Sequence, residues 1–109
     1  MSYKIYAANS FEKELKNLAK KHHSIREDVK TLSDSLKENP IQGKPLGKDC
    51  YKVRMAISAK GKGKSGGARI ITCVKIVNAN VYLLSIYDKS EKENISDNDL
   101  DVLLKYVPL

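Results

Sequence analysis

The stretch ARIITCVKIVNANVYLLSIY, residues 68–87, decides how the chain folds. Residues 68–77 are apolar on both faces, as a strand in the middle of a sheet is. Asn78, Ala79 and Asn80 form a tight-turn signal, so 81–87 is expected to return antiparallel to 68–77. Upstream, CYKVRMAIS (50–58) sets Tyr51, Val53, Met55 and Ile57 against Lys52, Arg54 and Ala56. That alternation marks a strand with one buried and one solvated face.

The N-terminal part obeys a different period. YKIYA (3–7) is a short strand, and Ser10 stands where a helix cap belongs. Phe11, Leu15, Leu18 and Ala19 recur on one helical face, with Glu12 and Glu14 in the first turn and Lys20 and Lys21 in the last. Ser24 is a second candidate cap; Ile25, Val29, Leu32 and Leu36 repeat the period until Pro40. His22 and His23 fall at the turn of this helical hairpin, where capping or solvation is expected rather than catalysis. Two glycines and a proline make IQGKPLGKD (41–49) a loop, and DKSEKEN (88–94) is a second, charged one. Ser96 with Asp99 opens a short helix carrying Leu100, Leu103, Leu104 and Val107. The expectation is an α+β fold in the order β-α-α-β-β-β-α, one domain over 1–109.

Composition excludes several classes. The 109 residues are 41% apolar and 30% charged, with six Tyr, one Phe and no Trp, as suits a globular domain. No run approaches the about 18 apolar residues of a membrane span, and MSYKIYAANS lacks a signal-peptide pattern, so a cytoplasmic location and no membrane partner are expected. Cys50 and Cys73 form no CxxC and, with two histidines, no metal framework; both are expected to be reduced and structural, with no metal and no cofactor. NIS at 94–96, without a secretion signal, is a chance glycosylation match.

The net charge of +7 is concentrated. Between Gln42 and Lys75 nine basic residues face one acid, Asp49, giving +8; the rest of the chain holds eleven basic and twelve acidic residues. Such a segment is the footprint of a polyanion partner. At its centre KGKGKSGGAR (60–69) mimics two phosphate motifs. Gly61, Gly63 and Gly66 fit GxGxxG, but a strand rather than a helix follows, so no helix N-terminus meets a phosphate. Gly63-Lys64-Ser65 resembles the end of a Walker motif, yet Ser58 stands where its first glycine belongs. What remains is a basic loop between strands, able to follow a sugar-phosphate backbone. Parity puts Lys52 and Arg54 on the open face, bordered by Lys60, Lys62, Lys64 and Arg69, with Tyr87, Asp88 and Lys89 at the end of the next strand.

YKVRMA, KGKGKSGGARII and VYLLSIYDKSEKENIS together resemble the RelE/ParE toxin superfamily, particularly its HigB-like branch of ribosome-dependent mRNA interferases, over roughly residues 44–104. The resemblance implies a small antiparallel sheet with the N-terminal helical hairpin on one face and a basic concave face opposite. It also implies two partners, mRNA on the ribosome and a cognate antitoxin, and cleavage in which the RNA 2′-hydroxyl attacks the adjacent phosphate. By motif position Arg69 would stabilise the phosphorane and Arg54 would contact the phosphate; one loop lysine, Lys64, would serve as base, and Tyr87 would stack on a base or assist proton transfer. Lys52, Lys60, Lys62 and Lys89 would hold the RNA. The C-terminal half has no histidine, so the usual proton carrier is absent from it. Two other readings stay open: a ParE-like gyrase inhibitor, and a non-catalytic RNA-binding module.

Overall fold

The structure, a computed structural model, describes residues 2–92 and 94–108. The elements are β1 (Lys4–Ala7), α1 (Asn9–Ala19), α2 (Ile25–Glu38), β2 (Lys44–Gly47), β3 (Cys50–Met55), β4 (Ala68–Lys75), β5 (Asn80–Asp88) and α3 (Asp97–Leu104). The expected α+β class and its order hold, with one addition. Lys44–Gly47, read as loop, pairs antiparallel with β3 as an edge strand. Pro45 does not prevent this, because an edge strand leaves one row of backbone groups unpaired in any case.

The sheet runs β1-β5-β4-β3-β2. Each neighbouring pair from β2 to β5 is antiparallel, and β1 joins β5 in parallel, Lys4 opposite Asn80. The turn between β4 and β5 closes through the Ala79 N–H donating to Ile76 O at 3.1 Å. Ala79 carries a φ of 55° there. The expected strand 50–58 stops at Met55, since Ser58–Lys60 turns into a short 3-10 segment; a second such turn spans Lys64–Gly66.

Alternation along β4 divides the core. Ile70 and Val74 face α1 and α2, where they pack with Phe11, Leu18, Ile25, Val29 and Leu36. Burying each of the larger of these side chains contributes about 1.5–3 kcal/mol, which is what docks two otherwise polar helices. Ile71 and Cys73 face the other way, into a smaller cluster with Cys50, Leu84 and Tyr87 that Leu100 and Val107 cover. That C-terminal cover is short, so the same face stays open toward Arg54 and Arg69.

The expected caps divide. Ser96 Oγ accepts the Asp99 N–H at 3.1 Å and caps α3 as read. Ser10 does not cap, and Ser24 stands at the N-cap of α2 without a side-chain cap bond. Ser10 lies inside α1 and donates to Leu84 O at 2.7 Å, tying the helix to β5. Ser24 Oγ donates to Asp28 and accepts the Ala59 N–H, both at 2.9 Å, tying α2 to the glycine-rich segment. The loop reading of 88–94 includes Glu93, which lies outside the described residues.

Candidate nucleic-acid interface

Strand register builds a row across the open face. Arg54 on β3 pairs with Arg69 on β4, and Arg69 pairs with Tyr87 on β5. Two guanidinium side chains opposite each other are unfavourable within a sheet. Such a pair is stabilised by an anion shared between them. One strand further out Lys44 pairs with Lys52, which extends the cationic surface to the sheet edge.

Of these residues Lys44, Lys52, Arg54 and Arg69 line a groove of about 700 Å³. Its walls are Lys44, Lys52, Arg54, Lys64, Arg69 and Lys89, together with Gln42, Gly43, Val53 and Ser65: six cations and, among the described residues, no carboxylate. Lys52 Nζ donates to Asn94 Oδ1 at 2.7 Å. Six cations give the groove a positive field, and Gln42 and Ser65 add neutral polar groups to it.

Of the residues expected from sequence, the structure gathers Arg54, Arg69, Lys64, Lys52 and Lys89 in this groove. Arg54 is exposed; Arg69 is only 4% exposed. Arg69 Nη1 donates to Lys64 O and to Ala68 O, both at 3.0 Å, so the guanidinium also holds the basic loop. Lys62 is exposed but stands outside the groove walls, its side chain over Gly66.

Two expected residues are placed otherwise. Lys60, read as an RNA contact, points inward: its Nζ is 2.9 Å from both Asp88 carboxylate oxygens and 3.3 Å from Gly66 O. An ammonium is strongly attracted to a buried carboxylate, so the loop lysine nearest the sheet turns toward it. Tyr87, read as a stacking or proton-transfer residue, is 6% exposed, packs in the α3 cluster and carries Lys92 Nζ 4.7 Å from its ring centroid. It does not line the groove.

The sequence reading missed Asp88 as an organising group. Burial acts to raise its pKa, but bonds from Lys60 and from Ser90 outweigh that and hold the carboxyl well below the usual carboxylate range. His22 Nε2 lies 3.1 Å from Asp88 Oδ2, so this turn histidine has a structural partner. The available signal was an acid ending an apolar strand in an otherwise basic neighbourhood. Asp28 on α2 behaves similarly: burial pushes its carboxyl up, while bonds from Ser58 and Ser24 bring it below the ordinary value. Cys50 and Cys73 are buried free thiols directly opposite each other; the Cys73 sulfur and burial hold Cys50 well up in its protonated form. Among the described residues no group of three or more His, Cys, Asp or Glu could hold a metal ion, and no helix is long and apolar enough to cross a membrane.

A sheet of this topology, with two helices behind it and a groove lined by six cations in front, defines a small α+β protein. Residues 3–107 match the family described as the RelE toxin of the RelE / RelB toxin-antitoxin system, and the chain belongs to the RelE toxin family. Solved structures agree in fold. A free-state Escherichia coli RelE toxin carrying two arginine-to-alanine substitutions superposes with a TM-score of 0.63 at 21% identity, covering 99% of this chain and 100% of that one. The toxin in the Mycobacterium tuberculosis RelBE2 toxin-antitoxin complex gives 0.62 at 17% identity, covering 81% and 99%. The intact Escherichia coli RelBE complex gives 0.61 at 22% identity, covering 80% and 96%.

Proposed function

We propose that this chain is the toxin of a type II toxin-antitoxin pair, of the HigB-like branch, and that it cleaves mRNA held on the ribosome in the cytoplasm. One observation carries the reading: among the described residues six cations and no carboxylate line a single groove at the open end of the sheet. A bent RNA backbone presents an anion at every nucleotide, and such a groove neutralises several at once.

In this reading the 2′-hydroxyl attacks the adjacent phosphorus. The O2′–P bond forms, the P–O5′ bond breaks, the hydroxyl proton passes to a base, and the departing 5′ oxygen takes up a proton. The protein supplies no nucleophile, only alignment, charge and proton transfer. Arg54, exposed and opposite Arg69, offers paired planar donors to the phosphate oxygens. Arg69 stabilises the growing charge from beneath the loop. Lys64 stands at the groove wall as the base, and Lys44, Lys52 and Lys89 bind flanking phosphates. Tyr87 enters as a packing residue under this row. Residues 1–109 act as one unit, and a cognate antitoxin, whose kind the family description names, masks the groove.

The test adds the purified chain to a translation system with a defined mRNA, with and without ribosomes, and maps new RNA ends beside Arg54→Gln and Arg69→Ala. Arg54→Gln alters an exposed side chain and leaves the fold intact. Ribosome-dependent cuts lost in the variants are expected. Intact RNA in every lane overturns the reading and directs attention to gyrase, through a supercoiling assay.

A further inference from the structure

Asp88 closes β5 opposite Ala68, the first residue after the glycine-rich segment, and its side chain is 4% exposed. Five hydrogen bonds converge on this carboxylate from three places. Lys60 Nζ reaches both oxygens at 2.9 Å, His22 Nε2 lies 3.1 Å from Oδ2, and Ser90 donates its N–H and its hydroxyl to Oδ1, each at 2.9 Å. The next residue continues the tie, since the Lys89 N–H donates to Gly67 O at 3.1 Å. Lys60 also donates to Gly66 O at 3.3 Å.

These bonds fall on the two ends of one segment. Between them Gly61 and Gly63 have φ of 67° and 65°, a side-chain carbon added at either meets nothing within 4 Å, and a short 3-10 turn over Lys64–Gly66 follows. Lys64 and Ser65 follow at once and form part of the groove wall. The segment thus runs between tied ends, with Arg69 Nη1 bonded to Lys64 O as a further tie, and the Lys60–Asp88 clamp anchors the end that precedes its groove residues. A buried ion pair is weak as a source of stability, since apolar residues of equal volume serve as well. It is strong as a device for register, because its geometry is directional.

We propose that the Lys60–Asp88 pair is a positioning pair, which fixes the glycine-lysine loop on the end of β5 and thereby holds Lys64 and Arg69 in place in the groove. The proposal builds on the nuclease reading, assigns Lys60 away from RNA, and gives Asp88 a function without substrate contact.

The experiment compares Lys60→Met, Asp88→Asn, the double variant and Lys60→Arg, by thermal unfolding, amide hydrogen exchange of residues 61–67, and cleavage kinetics. Each of the first two singles removes one charge of the Lys60–Asp88 pair, leaves the other without it, and lowers Tm. The double variant removes both charges, and its Tm is expected to return to within a few degrees of the wild type. Its loop amides are nevertheless expected to exchange about tenfold faster, and kcat to stay about tenfold down at unchanged KM. Lys60→Arg, which keeps the charge, is expected to retain loop protection and turnover. Restoration of loop protection and kcat together with Tm in the double variant would show a stability role only and overturn the proposal. A wild-type chain that cleaves no RNA removes the nuclease reading alone, and loop exchange in the double variant then decides the positioning role by itself.

Discussion

Salt titration of RNA binding tests the groove most directly. Five of its cations, Lys44, Lys52, Arg54, Lys64 and Lys89, carry no bond to the loop carbonyls, whereas Arg69 does. Each phosphate neutralised on a single strand contributes about −0.7 to the slope of log K against log salt, so five contacts give about −3.5. Raising salt from about 50 to 200 mM then weakens binding about 130-fold. Lys44→Gln with Lys64→Gln changes two exposed side chains, leaving three contacts, a slope of about −2.1 and a loss of about 18-fold over the same range. Lys62→Gln is the control, since Lys62 is exposed but outside the groove walls. Anisotropy of a labelled short single-stranded RNA, read at several salt concentrations, gives all three slopes. A wild-type slope shallower than about −1.4, the value for two contacts, would refute the groove as the binding surface. So would a Lys62→Gln slope as reduced as that of the double variant, because diffuse charge rather than the groove would then explain binding.

Three further outcomes are expected. Thr72 is fully buried and its Oγ1 has no hydrogen-bond partner among the described residues, so Thr72→Val should gain about 1 kcal/mol in chemical denaturation, and a loss of that size would contradict the assignment. Asp88 has a folded-state pKa below its unfolded value; the stability it contributes is present above about pH 4 and is lost as pH falls through the folded value. Glu14, raised by burial, acts in the opposite sense, since protonation relieves its cost. Asp88→Asn should therefore flatten the acid limb of a urea midpoint-versus-pH curve below about pH 4, and an unchanged limb counts against the ion pair. At Gly67 an added Cβ would lie 2.0 Å from Met55 O, a backbone atom that cannot swing away, so Gly67→Ala should cost at least about 2 kcal/mol of unfolding free energy; a neutral result would mean that β3 and the loop end are further apart.

The groove was legible because strand period is a local property. Lys52 and Arg54 alternate with Val53 and Met55, and no tertiary information is needed to put them on a common face. The hairpin of β4 and β5 and the cap at Ser96 were likewise written into neighbouring residues. What escaped depends on partners distant in sequence. Lys60 and Lys62 read as equivalent members of one basic run, yet only Lys60 lies where Asp88 can take it. Tyr87 sits in an apolar run with little alternation, so its burial under α3 is decided by a helix ten residues later. Ser10 and Ser24 carry the right side chain for a cap, but Leu84 O and the Ala59 N–H compete for the same hydroxyls. The edge strand at Lys44–Gly47 was hidden by Pro45 and Gly47, residues that signal a loop wherever the outer side of a sheet is not known.

The parallel seam between β1 and β5 bears on the order in which the molecule assembles. Pairing Lys4 with Asn80 encloses most of the chain in one loop, and closure entropy grows with the logarithm of loop length. Only four residue pairs, largely open to water on the β1 side, offset that cost. Strands β3, β4 and β5 are consecutive, and their contacts are short in sequence separation, which favours early formation. Arg54, Arg69 and Lys52 all lie on that early unit. The strands that carry the cationic surface are thus joined by short-range pairings, whereas the outer flank of β5 is closed by a pairing that spans most of the chain.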